Sequence, residues 1–148
     1  MASMPLRWST AIFCYLNIWD FAWTSVDLYI RTPNSTAKPG FPIPVNPNDP
    51  GVRTAARFGV YRYNNSSNDI FLFKESHINK ATVQIVRGLK YTLYVKIGRT
   101  VCDKREQPNL DRCGFQSSKA LRQTFQCYFE VWLVPWLQKV HVPVSVCR

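Results

Sequence analysis

The hydrophobic periodicity of this chain changes from helical to extended, and that change constrains the fold more than any other feature. Between Val52 and Tyr63, apolar residues recur every three or four positions, the spacing of one face of an amphipathic helix. From Val83 onward, apolar and polar residues alternate in several segments, which is the pattern of half-buried β-strands. One helix followed by several strands predicts an α+β domain.

The predicted helix has start and stop signals in the sequence. Asp49 can accept hydrogen bonds from the free N–H groups of the first turn, and Pro50 suits the first helical position. Residues 64–69 are all Asn, Ser or Asp, which are typical of turns, so we expect the helix to end there. Gly59 inside the helix costs about 1 kcal/mol relative to alanine.

The alternating segments predict an antiparallel sheet. They lie at residues 83–86, 89–97, 125–133 and 140–146. Gly88 separates the first two and indicates a tight hairpin, and Pro135-Trp136 separates the last two. We predict about four to five strands wrapped around the helix. If the strands pair in sequence order, both turns lie at the same end of the sheet, where Trp136 would face solvent.

The distribution of cysteines indicates two disulfides. Cys14 is alone near the start, and no pair has the short Cys-x-x-Cys spacing of a zinc or redox site. Widely spaced cysteines of this kind are typical of an oxidising compartment. Three pairings are open, and the sequential one, which we predict, closes the shortest loops. The four cysteines of the domain are Cys102, Cys113, Cys127 and Cys147.

The N-terminal residues predict an atypical signal peptide, placed at residues 1–24. Residues 11–16 are apolar and follow Arg7, but Asn17 and Asp20 interrupt the apolar stretch. A transmembrane helix needs about 20 apolar residues, so we expect no stable membrane anchor. Residues 25–36 are then a flexible N-terminal arm, and residues 37–148 are the folded domain.

Three N-glycosylation tripeptides agree with secretion. They are Asn34-Ser35-Thr36, Asn64-Asn65-Ser66 and the overlapping Asn65-Ser66-Ser67, and we predict glycans on Asn34 and Asn65. Each tripeptide is a weak signal alone, but together they agree with the cysteines. Together they predict a secreted glycoprotein.

The composition argues against nucleic-acid binding and against catalysis. The net charge is +10, but the 19 Lys and Arg residues are scattered along the sequence, which favours an ordinary basic surface without nucleic acid as a partner. The only histidines, His77 and His141, are far apart, and no nucleophile motif or metal-ligand cluster accompanies them. We therefore predict no enzyme activity, no cofactor and no metal.

The order of these features closely resembles the type 2 cystatins. In that family a glycine in an extended arm precedes one helix, a Gln-x-Val-x-Gly hairpin, two disulfides and a Pro-Trp hairpin. The resemblance covers about residues 37–148, three quarters of the chain, and implies the cystatin fold. The matching residues are Gly40, Gln84-Ile85-Val86-Arg87-Gly88, the four domain cysteines and Pro135-Trp136.

The resemblance implies reversible, tight-binding inhibition of papain-like cysteine proteases such as the lysosomal cathepsins. The arm around Gly40 and the two hairpins would form a wedge that fills the active-site cleft without chemistry. Glycine allows the arm to bend and to approach the protease closely. The implied protease-binding residues are Gly40, Gln84, Ile85, Val86, Arg87, Gly88, Pro135 and Trp136.

A second implied site concerns legumain, an asparagine-specific protease that some type 2 cystatins inhibit. Ser67-Asn68-Asp69 matches the family's pattern after the helix, with Asn68 as the residue presented to legumain. Alternatively, Asn68 only ends the helix or forms an Asx turn. A glycan on nearby Asn65 could also hinder access.

Within the family, the similarity is greatest to a leukocyte member found in endolysosomes, which predicts a secreted or endolysosomal location. Residues 71–76 and 134–138 are among the segments that carry this similarity. That relative has additional cysteines in the arm and after the helix, which link it into an inactive dimer. Here the arm has none and the second position is Ser66, so we do not expect that dimer.

The basic composition leaves one alternative function open. The chain could be a secreted cystatin-fold protein without inhibitory activity, with an antimicrobial or glycan-binding role. All three elements of the wedge are present, and this favours the inhibitor.

Overall fold

The computed structural model describes residues 40–148 as one helix against a five-stranded antiparallel sheet. The strand order along the sheet is the order in the sequence. The predicted signal peptide at 1–24, the arm at 25–36 and Asn34 lie outside the described residues. The elements are β1 (Ile43–Pro44), α1 (Pro50–Ser66), β2 (Phe71–Ile85), β3 (Leu89–Asp103), β4 (Thr124–Val134) and β5 (Lys139–Cys147). The predicted α+β class is confirmed.

Both ends of the helix agree with the sequence. The Asp49 carboxylate accepts a hydrogen bond from the backbone N–H of Gly51 at 2.8 Å, and Pro50 is the first helical residue. The helix ends at Ser66, within the polar residues 64–69 that were expected to end it. The side chain of Asn64 hydrogen-bonds to β2 and does not cap its own helix.

Asn64 joins the end of the helix to the beginning of β2. Its side chain is buried, with 3% of the residue exposed. The amide nitrogen donates to the carbonyl oxygen of Phe73, and the amide oxygen accepts from the N–H of Phe73, both at 2.9 Å. One side chain therefore satisfies two buried backbone groups of a neighbouring element.

Strand β2 begins at Phe71, twelve residues before the alternation that the sequence shows at Val83. The pairing register with β3 shifts three times along β2, as it does between Glu75 and His77 and between Ile78 and Lys80. At the last two shifts β2 has one residue more than β3, and such a bulge leaves one residue unpaired and reverses the face to which the following side chains point. The alternation is therefore lost in the sequence although the strand is continuous.

The core lies between the helix and one face of the sheet. The stripe predicted on α1 is buried, including Val52, Ala56 and Val60. A Cβ atom placed on Gly59 would come within 2.5 Å of the Phe129 ring. The helix therefore approaches β4 closely at this point. Glycine lowers the intrinsic stability of the helix here, but it is needed for this close packing. The fully buried large residues of the sheet are Phe73, Val83, Leu93, Val95, Ile97, Phe129 and Val131.

Both predicted disulfides are confirmed. Cys102 at the end of β3 bonds to Cys113, with Cα atoms 5.7 Å apart. Cys127 of β4 bonds to Cys147 of β5, with Cα atoms 4.1 Å apart. In the chain-entropy description, loops of this size contribute about 3 kcal/mol each. The second disulfide also fixes the register of the edge strand that follows the Pro-Trp turn.

Candidate functional site

The register of the sheet brings three separate segments to one edge. Residues 40–41 precede β1, which pairs with the end of β2. The turn at 86–88 joins β2 to β3, and Leu89 after it pairs with Leu133 of β4. The turn at 135–138 joins β4 to β5 directly beyond that pair. We call the surface formed by residues 40–41, 84–88 and 135–138 the hairpin edge.

The first hairpin has a backbone conformation that its residues fix. Arg87 and Gly88 have φ values of +44° and +126°. A Cβ atom on Gly88 would lie 2.4 Å from the carbonyl oxygen of Leu133, so both conformation and space require glycine. The indole N–H of Trp132 donates to the carbonyl oxygen of Val86 at 3.1 Å. This hydrogen bond holds the turn against β4.

Gly40 of the arm is hydrogen-bonded to the first hairpin. The Gln84 side-chain amide donates to the carbonyl oxygen of Gly40 at 2.7 Å, and the N–H of Gly40 donates to the carbonyl oxygen of Ile85 at 3.3 Å. Gly40 has a φ of +91°, and no atom of the described residues 40–148 lies within 4 Å of a Cβ placed on it. Its backbone conformation requires glycine, and the space above it is open to a partner.

The second hairpin presents Trp136 to solvent. Pro135, Trp136 and Leu137 form a short 3-10 turn, which Gln138 closes by donating its N–H to the carbonyl oxygen of Pro135 at 3.0 Å. Trp136 is 66% exposed. The sequence-based expectation that this tryptophan faces solvent is confirmed.

The hairpin edge exposes more apolar side chains than the sequence indicated. A concentration of large apolar side chains at one exposed edge is typical of an interaction site. Phe41 and Leu137 were not predicted as members of this edge, although each is next to a predicted residue. The exposed apolar residues of the edge are Phe41, Ile85, Val86, Trp136 and Leu137.

Asn68 lies in the connection between α1 and β2, at the other end of β2 from the hairpin edge. It is exposed, and both of its neighbours are held. The Lys104 ammonium donates to the carbonyl oxygen of Ser67 at 2.8 Å. The Asp69 carboxylate forms a salt bridge with Arg99 and accepts the N–H of Phe71 at 2.9 Å. Asn68 is therefore presented between two fixed residues.

Histidines and other metal-ligating side chains are dispersed among the described residues. Within residues 40–148, no group of three or more His, Cys, Asp or Glu side chains could hold a metal ion. His77 of β2 and His141 of β5 are both exposed. No helix among these residues is long and apolar enough to span a membrane.

The helix, the five-stranded sheet and the three segments of the hairpin edge define a class of protein. The chain belongs to the cystatin family, since a sequence model of the cystatin domain matches residues 40–136. This family consists of protease inhibitors rather than enzymes.

Within the family, the chain is similar to cystatin-F. It is 53% identical to human cystatin-F over 136 residues, which are 92% of this chain and 94% of the human protein. It is 56% identical to mouse cystatin-F over 114 residues, which are 77% of this chain and 79% of the mouse protein. The crystal structure of dimeric human cystatin F superposes with a TM-score of 0.73 at 57% identity, covering 78% of this chain and 91% of that chain.

Proposed function

We propose that this protein is a reversible, tight-binding inhibitor of papain-like cysteine proteases, including lysosomal cathepsins. The observation that carries the proposal is the meeting of Gly40, the first hairpin and the Pro-Trp turn at one exposed apolar edge. Three segments in line form a wedge rather than a pocket. A wedge of this kind occupies the cleft of a partner and needs no reactive group of its own.

Each segment has a distinct role in this proposal. The arm at Gly40 brings backbone close to the protease, because the space above it is open. Ile85 and Val86 are exposed and offer apolar contact beside the catalytic cysteine of the protease. Trp136 buries the largest apolar area on the opposite side of the cleft, because an indole is large and has few rotamers to lose.

The hydrogen bonds at the hairpin edge favour tight binding. The bond from Trp132 to Val86 and the bond from Gln84 to Gly40 hold the first hairpin and the arm in one geometry before any partner arrives. Binding then costs little additional ordering of loops. In this proposal Gln84 both stabilises the conformation of the arm at Gly40 and contacts the protease.

The proposal is tested by titrating papain and cathepsins L and C with the purified protein. We expect loss of peptidase activity at one equivalent of inhibitor, recovery of activity on long dilution, and an inhibitor that remains uncut. Trypsin, whose nucleophile is a serine, is the control and should keep its activity. A folded, disulfide-bonded protein that leaves papain active at micromolar concentration would contradict the proposal.

A second site, for legumain, is favoured by the geometry around Asn68. The residue is exposed and its flanking residues are fixed by Lys104 and Arg99, so an asparagine side chain is offered on a rigid connection. The site lies at the opposite end of β2 from the hairpin edge. We therefore propose that one molecule can bind both proteases through separate surfaces.

Replacing Asn68 by glutamine should weaken legumain inhibition by about tenfold or more, because one added methylene misplaces the amide in an asparagine-specific cleft. Papain inhibition should remain unchanged. Inhibition constants for both proteases, measured on one preparation, check this. Asn65→Gln is the matched control when all proteins are produced without glycans, and it should keep legumain inhibition. Equal legumain inhibition by the wild type and Asn68→Gln would exclude this site.

We propose secretion with delivery to endolysosomes, where both classes of protease act. Asn65 is exposed near the end of the helix and is available for a glycan, whereas Asn64 is buried and hydrogen-bonded. Ser66 donates its hydroxyl to the carbonyl oxygen of Arg62 at 3.0 Å, and a serine here cannot form an intermolecular disulfide. The inhibitor is therefore proposed to act without a disulfide at this position.

A further inference from the structure

Strand pairing places basic residues that are far apart in the sequence on one face of the sheet. Directly paired residues of an antiparallel sheet project from the same face. Ala81, Val95 and Phe129 are buried on the face toward the core, so the residues between them project from the opposite face, which we call the outer face. Two neighbouring rows cross this outer face: Lys80, Tyr94, Tyr128 and Val146 form one, and His77, Lys96, Gln126 and Arg148 form the other.

The positive charge of these rows is not compensated by acidic side chains. Lys80, Lys96 and Arg148 form no salt bridge within the described residues. Glu130 is the one acidic side chain among these two rows and the next row along the outer face. It already pairs with Lys90 at 3.0 Å. Lys80 on β2, Lys96 on β3 and Arg148, which follows β5, therefore remain free to meet an anion.

Glu130 also forms a hydrogen bond with a tyrosine. The Tyr128 hydroxyl donates to the Glu130 carboxylate at 2.7 Å. This hydrogen bond, with the ammonium of Lys90, lowers the pKa of Glu130, and the carboxylate in turn raises the pKa of Tyr128 to about 12. Tyr128 is thus neutral at physiological pH and adds no negative charge to the outer face.

Two aromatic rings lie between the free cations. Tyr94 and Tyr128 pack edge to face, with ring centroids 5.2 Å apart. They line an open depression of about 480 Å³ together with Asn79, Gln126, Val146 and Arg148. The Asn79 amide donates to Gln126 at 3.0 Å, so polar groups surround an amphipathic aromatic floor.

We propose that the outer face binds a sulfated polysaccharide. Lys80 and Lys96 lie diagonally on adjacent strands, with side chains starting about 7–8 Å apart. Arg148 lies two strands from Lys96, at about 10 Å. Cations at such spacing match a linear polymer with repeated anionic groups better than one isolated anion. Two disulfides place the chain in an oxidising compartment, where sulfated polysaccharides rather than nucleic acids are the abundant polyanions.

This inference goes beyond protease inhibition and does not depend on it. Lys80 precedes Gln84 by four residues, about 13 Å along the strand, and the polymer would lie on the outer face rather than at the hairpin edge. A polymer-bound molecule therefore retains an accessible hairpin edge. Binding would concentrate the inhibitor on a polysaccharide matrix without blocking its proposed protease site.

The test compares heparin binding of the wild type with that of the double variant Lys80→Gln and Lys96→Gln at 150 mM NaCl. We expect the double variant to bind heparin on the order of tenfold more weakly, since each lysine beside a polyanionic surface contributes substantially. The matched control is Arg53→Gln with Arg62→Gln, two exposed residues of α1, because it removes the same charge from the other side of the sheet. The control should keep nearly all of the affinity.

Three outcomes would overturn the inference. Equal losses in both double variants would show that only the net charge matters, and absence of wild-type binding at 150 mM NaCl would exclude the site. Displacement of heparin by single-stranded DNA at equal charge concentration would reject a sulfated polysaccharide as the ligand. Thermal unfolding of each variant confirms folding, and the papain titration is recorded separately, so failure of protease inhibition is distinguishable.

Discussion

Replacing Trp136 by alanine should weaken inhibition of papain by about 30-fold or more, since a central exposed tryptophan typically contributes about 2 kcal/mol or more to an interface. The side chain is 66% exposed in the free protein, so its truncation leaves no internal cavity. The midpoint of thermal unfolding should therefore remain within about a degree of the wild type. Inhibition constants from equilibrium titration, with unfolding followed by circular dichroism, measure both quantities.

Tyr61→Ala is the matched control for this variant. Tyr61 is also an exposed aromatic residue, 45% accessible, but it lies on α1 and not at the hairpin edge. Its removal should leave papain inhibition within about twofold of the wild type. Equal inhibition by Trp136→Ala and the wild type would remove the second hairpin from the proposed interface. An equally large loss in Tyr61→Ala would mean that the protease binds elsewhere.

The sequence was sufficient for the parts of the fold that depend on local signals. Asp49 and Pro50 start the helix because capping and a fixed φ act within one turn. Gly88 indicated a hairpin because glycine adopts the positive φ that a tight turn requires, and this depends on the residue itself. Residues 64–69 indicated the end of the helix because Asn, Ser and Asp favour turns, whereas the hydrogen bonds of Asn64 to Phe73 of β2 have no local signal.

The sequence predicted which loops form the hairpin edge, but it did not predict the hydrogen bonds that hold these loops together. The motif residues indicated which turns are exposed, and their positions at one edge followed from sequential strand pairing. The hydrogen bond of Trp132 to Val86 depends on the exact register of β4 against β3, which alternation alone does not define. The bond of Gln84 to Gly40 joins residues 44 positions apart and has no local signal.

The positive charge of the outer face could not be predicted from the sequence, for a related reason. Lys80, Lys96 and Arg148 come from three different parts of the sequence, where each has an ordinary solvated environment. Only the pairing of β2 with β3, of β3 with β4, and of β4 with the C-terminal residues places them on one face. A scattered charge pattern in a β-rich sequence is therefore weak evidence against a basic surface.

Replacing Asn64 by alanine should lower the free energy of unfolding by about 2–5 kcal/mol, because two buried backbone groups of Phe73 lose their partners at about 1–3 kcal/mol each. The higher helix propensity of alanine offsets only about 0.5 kcal/mol of this loss. Urea unfolding, with the midpoint and slope fitted for both proteins, measures the difference. The slope should be unchanged, since the folded state stays equally compact.

Asn65→Ala, tested in protein produced without glycans, is the control because Asn65 is exposed beside the buried Asn64. Its unfolding free energy should stay within about 0.5 kcal/mol of the wild type. A loss below 1 kcal/mol in Asn64→Ala would show that water replaces the amide. Because Asn64 joins the end of the helix to β2 next to the connection that carries Asn68, the same variant should speed amide hydrogen exchange at residues 67–70 while exchange at 86–88 keeps its wild-type rate. Equal acceleration at both segments would mean that the variant opens only through global unfolding, and that the two ends of β2 are not independent.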